Sequence, residues 1–509
     1  MRFVENLFRS DINPSNHKSR TLPLLNIIDK YGRTFHLSWI GFFVAFLSWF
    51  AFPPLIHGVI QEDLQLTHAQ VANSNIMGLL ATFLVRFIVG PLCDRYGPRY
   101  VMIGCLLGGA IPTALTPFVT NASELIAIRF FVGILGGTFV PCQVWTSQFF
   151  DKNIIGLANA LTAGWGNAGG GVTFFLMPAV VSSLMNNNGI SQYWAWRIAF
   201  PMCPLVIIIC VATITLFFGH DTPNGPWSSR NFHQDPKTDC TQILDEAEFR
   251  MNNDEGIGMT EASSHLKNED MKFISGPQTA AMTDISEAPN QSTSSRTVAV
   301  NDEFLRAPSA VDVLKIVFSS RTLLVALPYL CSFGSELSVE GIISDFYIQT
   351  TKIQDGIVWN SQTAGSWAAI FGLLNIVTRP LGGYISDVLY QHKGLTAKKW
   401  WLIFLGVVQG VFFMWIGFAK FKIYHLIVLM TGLAIFMEAA NGAIFSLVPA
   451  IHPKFTGIVS GVTGASGNVG GILFSLAFRF LGTDYQTASW IIGIICLGSN
   501  LAVTCIPLQ

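Results

Sequence analysis

Two apolar stretches that each contain one arginine decide the fold of this chain: MGLLATFLVRFIVG at residues 77–90, and FGLLNIVTRPLGG at residues 371–383. Arg86 and Arg379 hold corresponding places in these stretches, which lie in different halves of the chain. A charged side chain at the centre of a lipid bilayer costs about 2.5–3.5 kcal/mol on insertion scales. Two such residues in matching positions predict a buried anion site that two repeats share.

The composition is that of an integral membrane protein. The chain has 509 residues, 51% hydrophobic and 12% charged, and its mean hydropathy is +0.47, whereas soluble proteins average about 25% charged residues. The formal net charge of -1 provides no global basic field, so we predict no nucleic-acid partner. The 9 cysteines lack metal-binding spacing, so we predict no metal site, no cofactor and no disulfide framework.

Apolar stretches long enough to cross hydrocarbon, about 20 residues each, occur in two groups of six. We therefore predict an all-α membrane protein with about twelve transmembrane helices in two halves. The predicted spans are near 34–59, 70–92, 100–119, 124–150, 155–183 and 196–219, and then near 321–348, 364–388, 400–419, 423–450, 456–480 and 485–507.

The distribution of charge predicts the orientation. The N-terminal arm, residues 1–33, is rich in lysine and arginine, whereas the connections at 61–69 and 184–194 contain none. By the positive-inside rule both termini should be cytoplasmic. The halves, 34–219 and 321–509, are joined by residues 220–320, which are polar and lack a hydrophobic period. We expect this segment to be a disordered cytoplasmic linker.

Each arginine is followed by a glycine and then an aspartate at intervals of four residues. Gly90 and Asp94 follow Arg86, and Gly383 and Asp387 follow Arg379 in the same way. Side chains four residues apart lie on one face of a helix. Each triplet is therefore expected to place an arginine in the membrane, a glycine at a close contact and an aspartate at the cytoplasmic end.

A second pair of repeats combines glycines with one asparagine. TAGWGNAGGG at 162–171 contains Asn167 among Gly164, Gly166 and Gly170, and TGASGNVGG at 463–471 contains Asn468 between Gly467 and Gly471. Such glycines let helices approach closely, but they also leave room for a small ligand. The asparagine amide can donate to an anion or bridge two helices. Recurrence in both halves favours a binding role.

The residues after the first arginine form a recognisable loop motif. Gly90, Asp94, Arg95, Gly97 and Arg99 give the pattern G-x-x-x-D-R-x-G-x-R. This resembles the signature loop of the major facilitator superfamily, in which the acidic and basic residues latch neighbouring helix ends. A basic loop that merely sets the membrane topology would explain the charge but not the spacing. Asp387 belongs to a degenerate second copy, whose latch should be weaker.

With its paired arginines and Gly/Asn segments, the chain resembles the nitrate/nitrite porter family of that superfamily, over residues 34–507. The resemblance implies that Arg86 and Arg379 clamp nitrate, with Asn167 and Asn468 beside them. It also implies the same site for nitrite, a plasma-membrane location among lipids, and no cofactor. The long linker and short C-terminal tail look like fungal members, so we expect no obligate protein partner.

Four aromatic residues match the family at the substrate site. Tyr329 and Phe333 match in the seventh helix, Phe139 matches in the fourth, and Phe46 in the first helix is a looser match. Packing in the protein core is the alternative explanation for each of these rings.

The resemblance further implies import by proton symport with alternating access between the halves. Few acids lie in the predicted spans, and Glu336, Glu340 and Glu438 are the candidates to carry protons. We favour Glu336, which follows the Tyr329/Phe333 segment. Two rival functions stay open: a nitrate/nitrite antiporter and a nitrate receptor that does not transport. We find no motif of an enzyme.

Overall fold

The computed structural model describes residues 7–151, 154–228, 310–354, 359–418, 422–452 and 456–507. Within these ranges the protein is built from helices, and the few β-bridges are isolated pairs. The predicted all-α membrane architecture is confirmed, because eleven continuous helical segments are long and apolar enough to cross a bilayer.

Six helices form the first half of the chain. Their bounds agree with the predicted spans to within a few residues, since apolar composition determines where a chain can cross hydrocarbon. They are α1 (Lys30–Leu55), α2 (His68–Tyr96), α3 (Pro98–Leu115), α4 (Ala122–Phe149), α5 (Ile155–Asn186) and α6 (Gln192–Phe218).

Among the described residues, the second half also contains six membrane-crossing helices, besides the shorter helix Ile343–Gln354, and two of the six are separated only by a kink. The segment Ser361–Phe418 has 58 residues, which would extend about 87 Å as one helix, far beyond the ~30 Å of hydrocarbon. Gly394, with φ 70° and ψ -164°, breaks it into two crossings. The helices are α7 (Ser320–Glu340), α8 (361–393), α9 (395–418), α10 (Ile423–Ile451), α11 (Thr456–Leu481) and α12 (Tyr485–Ala502).

Polar and apolar residues are distributed as in a membrane protein. Phe87, Ile88 and Ile111 are about 60% exposed on the outer surface of the helices, where lipid would cover them. Arginine, asparagine and glutamate side chains lie instead in the interior. Because lipid tails solvate apolar side chains as well as the core does, helix contacts depend on small residues.

Glycines mark the closest helix contacts. A Cβ at Gly382 would overlap the backbone of Ala439, so α8 lies against α10. Gly334 and Gly470 face each other where α7 crosses α11. Between the halves, Gly171 of α5 meets Gly372 of α8 backbone to backbone. Together with the packing of α2 against α11, these contacts bring α2, α5, α7, α8, α10 and α11 around one central site.

One end of the bundle carries the N-terminal arm, and we call it the arm side. Residues 7–29 contact the α4–α5 connection, where the Ser19 amide donates to the Phe149 carbonyl at 2.9 Å. The Trp145 indole donates to the His220 carbonyl at 2.7 Å. The start of the predicted linker, 220–228, is thus packed on the bundle, and its end contains a helix, Ala310–Val317. Residues 229–309 lie outside the described part, so the linker prediction is untested there.

Candidate functional site

Arg86 is held in the interior by backbone carbonyls from two different helices. Its side chain is 7% exposed. Nε donates to the Gly136 carbonyl at 3.3 Å, and Nη1 donates to the Gly464 carbonyl at 2.7 Å. Gly136 lies in a 3-10 stretch of α4, Gly133–Thr138, whose glycines allow α2 to approach. Arg86 therefore links the first half to α11 of the second half.

Arg379 occupies the corresponding place in the second half. It is 1% exposed, and Nη2 donates to the Tyr329 hydroxyl at 3.1 Å. The two guanidinium carbons lie 5.8 Å (Arg86) and 5.6 Å (Arg379) from the centre of the same Phe333 ring. The two cations predicted from the repeats therefore meet at a single aromatic side chain.

Both guanidinium groups retain an unused donor. Nη2 of Arg86 and Nη1 of Arg379 are buried and have no hydrogen-bond partner within the described ranges. Neither arginine forms a salt bridge with a described carboxylate. A buried donor without a partner costs about 1–3 kcal/mol, and more if it is charged. An anion between the two groups would satisfy both donors and their charge.

Aromatic rings surround the arginines. Tyr329 and Phe333 stack with their centres 5.0 Å apart, and Phe139 lies 5.1 Å from the Arg86 guanidinium carbon. Phe445 of α10, which sequence reasoning missed, contacts both Phe139 and Tyr329, with ring centres 5.6 and 5.2 Å away. These rings exclude water and present π faces to the cations.

The predicted ring from α1 is displaced from this cluster. Phe42 contacts Phe139 with a centre-to-centre distance of 5.5 Å. Phe46 packs instead against Phe42, Trp49 and Phe50. The two residues are one helical turn apart, and Phe42 takes the place beside Phe139 that the family resemblance implied for Phe46.

The two asparagines are both buried, but they have different partners. Asn167 points across the interface between the halves, where Nδ2 donates to Glu336 Oε1 at 3.5 Å. Asn468 donates to the Gly464 carbonyl at 3.2 Å, the same carbonyl that accepts from Arg86. The Oδ1 atoms of both amides are buried without a partner among the described residues. Asn167 thus bonds directly to Glu336, and Asn468 is linked to Arg86 through one shared carbonyl.

The space next to the glycines that flank the asparagines is occupied by other protein atoms. A Cβ at Gly166 would overlap the Phe42 ring, and one at Gly467 would lie 2.7 Å from Phe333 and 2.8 Å from Tyr329. Gly164 faces the backbone and side chain of Arg379's own segment, through Asn375 and Pro380. The expectation that these glycines leave room for a ligand is therefore corrected: they seat the aromatic rings and helices that form the site.

The remaining two predicted glycines also make close contacts. A Cβ at Gly170 would lie 3.5 Å from Glu340 Oε1, and one at Gly471 would lie 3.3 Å from Leu79. Gly170 lies on α5 near α7, and Gly471 lies on α11 near α2. Both positions are contacts between the two halves of the protein.

Glu336 is the centre of an amide network that the sequence did not reveal. Asn375 of α8 donates to its Oε1 at 2.7 Å, and Asn441 of α10 donates to its Oε2 at 2.6 Å. Ser332 in turn donates to Asn441 Oδ1 at 2.6 Å. Asn375 lies four residues before Arg379 inside an apolar run, and that position was the available signal. Pairing with Glu336 requires knowledge of how α7, α8 and α10 meet.

The loop motif contacts the end of α6 and the segment that directly follows it. Arg99 forms a salt bridge with Asp221 at 3.3 Å, and its guanidinium also donates to the carbonyl groups of Thr215 and Leu216 at the end of α6. Gly97 has φ 86°, a conformation that favours glycine, and the Trp227 ring packs against it. Arg95 lies over the adjacent Tyr96 ring, 5.2 Å from its centre.

One expectation about this motif is wrong. A Cβ at Gly90 would meet no atom within 4 Å, so Gly90 is not at a close helix contact. The corresponding Gly383 does lie near the Gly442 carbonyl, at 3.3 Å. The difference follows from the neighbouring helices, because α8 lies against α10 here while α2 has no such neighbour at Gly90. The side chain of Asp94 lies outside the described part.

The second copy of the motif forms an ion pair. Asp387 accepts from Lys398 Nζ at 2.6 Å, and a Cβ at Gly156 of α5 would lie 3.4 Å from its other oxygen.

On the arm side, the pKa of His220 is lowered, mainly by burial and in addition by the positive charge of Arg33. The imidazole beside Arg33 is therefore neutral at pH 7.

Comparisons with known proteins agree with this architecture. A model of the Major Facilitator Superfamily matches residues 38–475. The high affinity nitrate transporter 2.5 of Arabidopsis thaliana is 30% identical, over 96% of this chain and 82% of its own length. The nitrate/nitrite transporter NrtP of Nostoc punctiforme is 28% identical, over 93% and 91%. Elsinochrome transporter 1 of Elsinoe fawcettii is 32% identical, over 97% and 96%.

Proposed function

The chain belongs to the major facilitator superfamily, in which it groups with nitrate transporters of plants, algae and cyanobacteria, and we propose that it imports nitrate and nitrite by proton symport. The observation that carries the proposal is the pair of unpartnered guanidinium donors, Arg86 Nη2 and Arg379 Nη1, at one aromatic ring.

Nitrate suits this pair of cations. It is a flat monoanion, and a guanidinium group is flat, permanently charged and able to donate two parallel hydrogen bonds. One anion can therefore be held by an arginine from each half. Nitrite has the same charge and fewer oxygens, so it fits the same groups. Rocking of the halves about this site would give alternating access.

Protons are proposed as the coupling ion because of the membrane potential. Moving one anion inward against an inside-negative potential costs about 2.3 kcal/mol per 100 mV. More than one proton per nitrate reverses the sign of the net charge moved. Glu336 is the proposed proton-coupling acid, since its carboxyl contacts Asn167 of the other half and lies near Arg379.

The charge distribution supports a cytoplasmic arm side, and we propose the plasma membrane as the location. Arg95, Arg99, Lys398 and Lys399 lie on that side together with the basic arm, and the positive-inside rule assigns such a side to the cytoplasm. We retain the four-part division into arm, first half, linker and second half, and propose no obligate protein partner.

The relative named an elsinochrome transporter raises a second candidate substrate, elsinochrome itself. The two uncompensated arginines favour a small anion. The test is nitrate uptake with elsinochrome added at increasing concentration. Competition at the same site would support the second candidate. Unaffected uptake would leave nitrate as the proposed substrate.

The test of the main proposal is nitrate-evoked current in voltage-clamped cells that express the full chain, measured against external pH. Proton symport predicts an inward current that grows as external pH falls. Nitrate flux that requires internal nitrite but no pH gradient would identify an antiporter. Nitrate binding without any flux would identify a receptor.

A further inference from the structure

A second buried acid lies behind the site and has one hydrogen-bonding partner. Glu438 of α10 is 0% exposed, and its Oε2 lies 2.5 Å from the Thr378 hydroxyl. Its Oε1 is buried without a partner among the described residues. Thr378 directly precedes Arg379, and its hydroxyl also lies 2.8 Å from the Leu374 carbonyl.

The hydroxyl proton can serve one acceptor at a time, so two arrangements are possible. Thr378 can donate to an ionised Glu438, or it can donate to Leu374 and accept from a protonated Glu438. An ionised carboxylate buried without a charged partner costs several kcal/mol, whereas one donated hydrogen bond to a charged group returns about 1.5–3 kcal/mol. Arg379 offsets this cost while its own charge is free, so the protonated arrangement is favoured once an anion occupies Arg379.

Glu336 has the opposite surroundings. Both of its oxygens accept from amide groups, at 2.7 Å from Asn375 and 2.6 Å from Asn441. Since amide NH2 groups donate and a carboxylate accepts, this arrangement stabilises the ionised form. The groups that face Glu438 are Glu336 and Glu340 of α7 and Arg379 of α8. Arg379 thus faces both acids, and Glu438 has fewer donors than Glu336 to stabilise its ionised form.

We propose that Glu438 and Thr378 form a second proton-binding site, which loads together with the anion; this rests on the proposed proton-coupled import. An anion on Arg379 cancels the charge that favours ionised acids nearby. Glu438 then takes a proton from water on the outer side, forming one O–H bond. When the anion leaves, that bond breaks and the proton passes to water on the cytoplasmic side.

The charges balance over a full cycle. One nitrate and a proton on each of Glu336 and Glu438 together carry one net positive charge, and an inside-negative potential drives this cargo inward. Glu438 binds the first proton and Glu336 the second, because amide donors hold Glu336 in its ionised form.

The experiment measures the charge moved per nitrate, from current and isotopically labelled nitrate uptake in the same voltage-clamped cells. The wild type should move about one positive charge per nitrate, and Glu438→Gln should move about zero while pH-driven uptake persists. The control is Glu124→Gln, which removes an exposed acid that accepts from the Thr120 amide beside the start of α4, away from the site, and it should keep the wild-type ratio. An unchanged ratio in Glu438→Gln overturns the proposal.

Two further measurements keep the proposal testable if Glu438→Gln fails to take up nitrate. Nitrate counterflow needs no net proton movement, so it should survive in Glu438→Gln; its loss would overturn the proton role. Thr378→Val removes the acceptor of the Glu438 proton and should shift uptake to more acidic external pH, while Thr378→Ser should not. A wild type without nitrate-evoked flux would refute the proposed function itself, a result distinct from either of these.

Discussion

A guanidinium group in a membrane interior needs many partners, and Arg86 obtains them from three helices. Carbonyls of α4 and α11 accept two of its hydrogen bonds, and Phe139 and Phe333 face its charge. None of these partners is charged, so the positive charge stays available to an anion. The Tyr329 hydroxyl is likewise an uncharged hydrogen-bond partner of Arg379.

Nitrate binding should therefore require the planar guanidinium groups of both arginines and not only their charge. Arg86→Lys and Arg379→Lys keep the charge but lose the paired donors. Since a hydrogen bond to a charged group contributes about 1.5–3 kcal/mol, nitrate affinity should fall about ten- to a hundredfold. Uptake kinetics at normal surface expression measure this. Wild-type affinity in both variants would contradict the clamp.

The asparagines lead to a second prediction at the residue scale. Asn468→Asp would place a carboxylate beside the carbonyl that holds Arg86, and Asn167→Asp would place one next to Glu336. Charges about 4 Å apart interact by about 4 kcal/mol at an effective dielectric constant of 20. Nitrate binding should be abolished in both variants.

The matched controls are Asn167→Ala and Asn468→Ala, which remove a donor without adding charge and should lose no more than about tenfold in affinity. Binding of labelled nitrate to the purified proteins separates the two sets. Equal binding by the aspartate and alanine variants would mean that the asparagines have a structural role only.

Sequence reasoning identified residues that recur and missed those that do not. Arg86 and Arg379, and likewise Asn167 and Asn468, stand out because each half repeats the other. Asn375 and Asn441 have no repeated context, and a single polar residue in an apolar run does not reveal which helix it faces. Their contacts with Glu336 arise only where three helices meet.

At the scale of the helices, hydropathy predicts the bounds of the crossings but not how the helices join. The predicted spans end at 388 and begin again at 400, whereas in the structure α8 and α9 extend up to a single kink at Gly394, whose φ of 70° is not helical. The α8 helix narrows to a 3-10 turn at Leu374–Ile376, because Pro380 lacks the amide that would bond to the Ile376 carbonyl.

The glycine contact between α8 and α10 should be essential for folding. A Cβ at Gly442 would overlap the carbonyl oxygen of Arg379, a backbone atom that cannot swing aside. Overpacking of this kind costs about 1–3 kcal/mol or more. Gly442→Ala should therefore lower the melting temperature of the purified protein and its amount at the cell surface.

Gly461→Ala is the control for that prediction, since a Cβ there would meet no atom within 4 Å. Both changes add one methyl group to a helix of the second half. A melting temperature for Gly442→Ala equal to that of Gly461→Ala would show that α8 and α10 can separate without loss of stability.

At the scale of the whole molecule, the two halves are closed against each other on the side opposite the arm. Asn75 of α2 donates to the Gly341 carbonyl at 3.5 Å, and Arg479 of α11 donates to Asn73 at 2.5 Å. A cavity of about 10 Å³ remains between them, which is the lower limit for a single water molecule. Among the described residues, this contact leaves no opening wide enough for an anion unless the halves move apart.

This closure gives the last prediction. Cysteines at Asn73 and Arg479, joined by a short reagent that reacts with two thiols, would hold α2 and α11 together and should stop nitrate uptake. The control joins cysteines at Glu62 and Gln192, a contact of 3.5 Å on the same side but within the first half. Rocking of rigid halves leaves that pair unstrained, so its cross-linked form should transport normally. Uptake that continues through a complete Asn73–Arg479 cross-link would mean that the halves do not separate along this face.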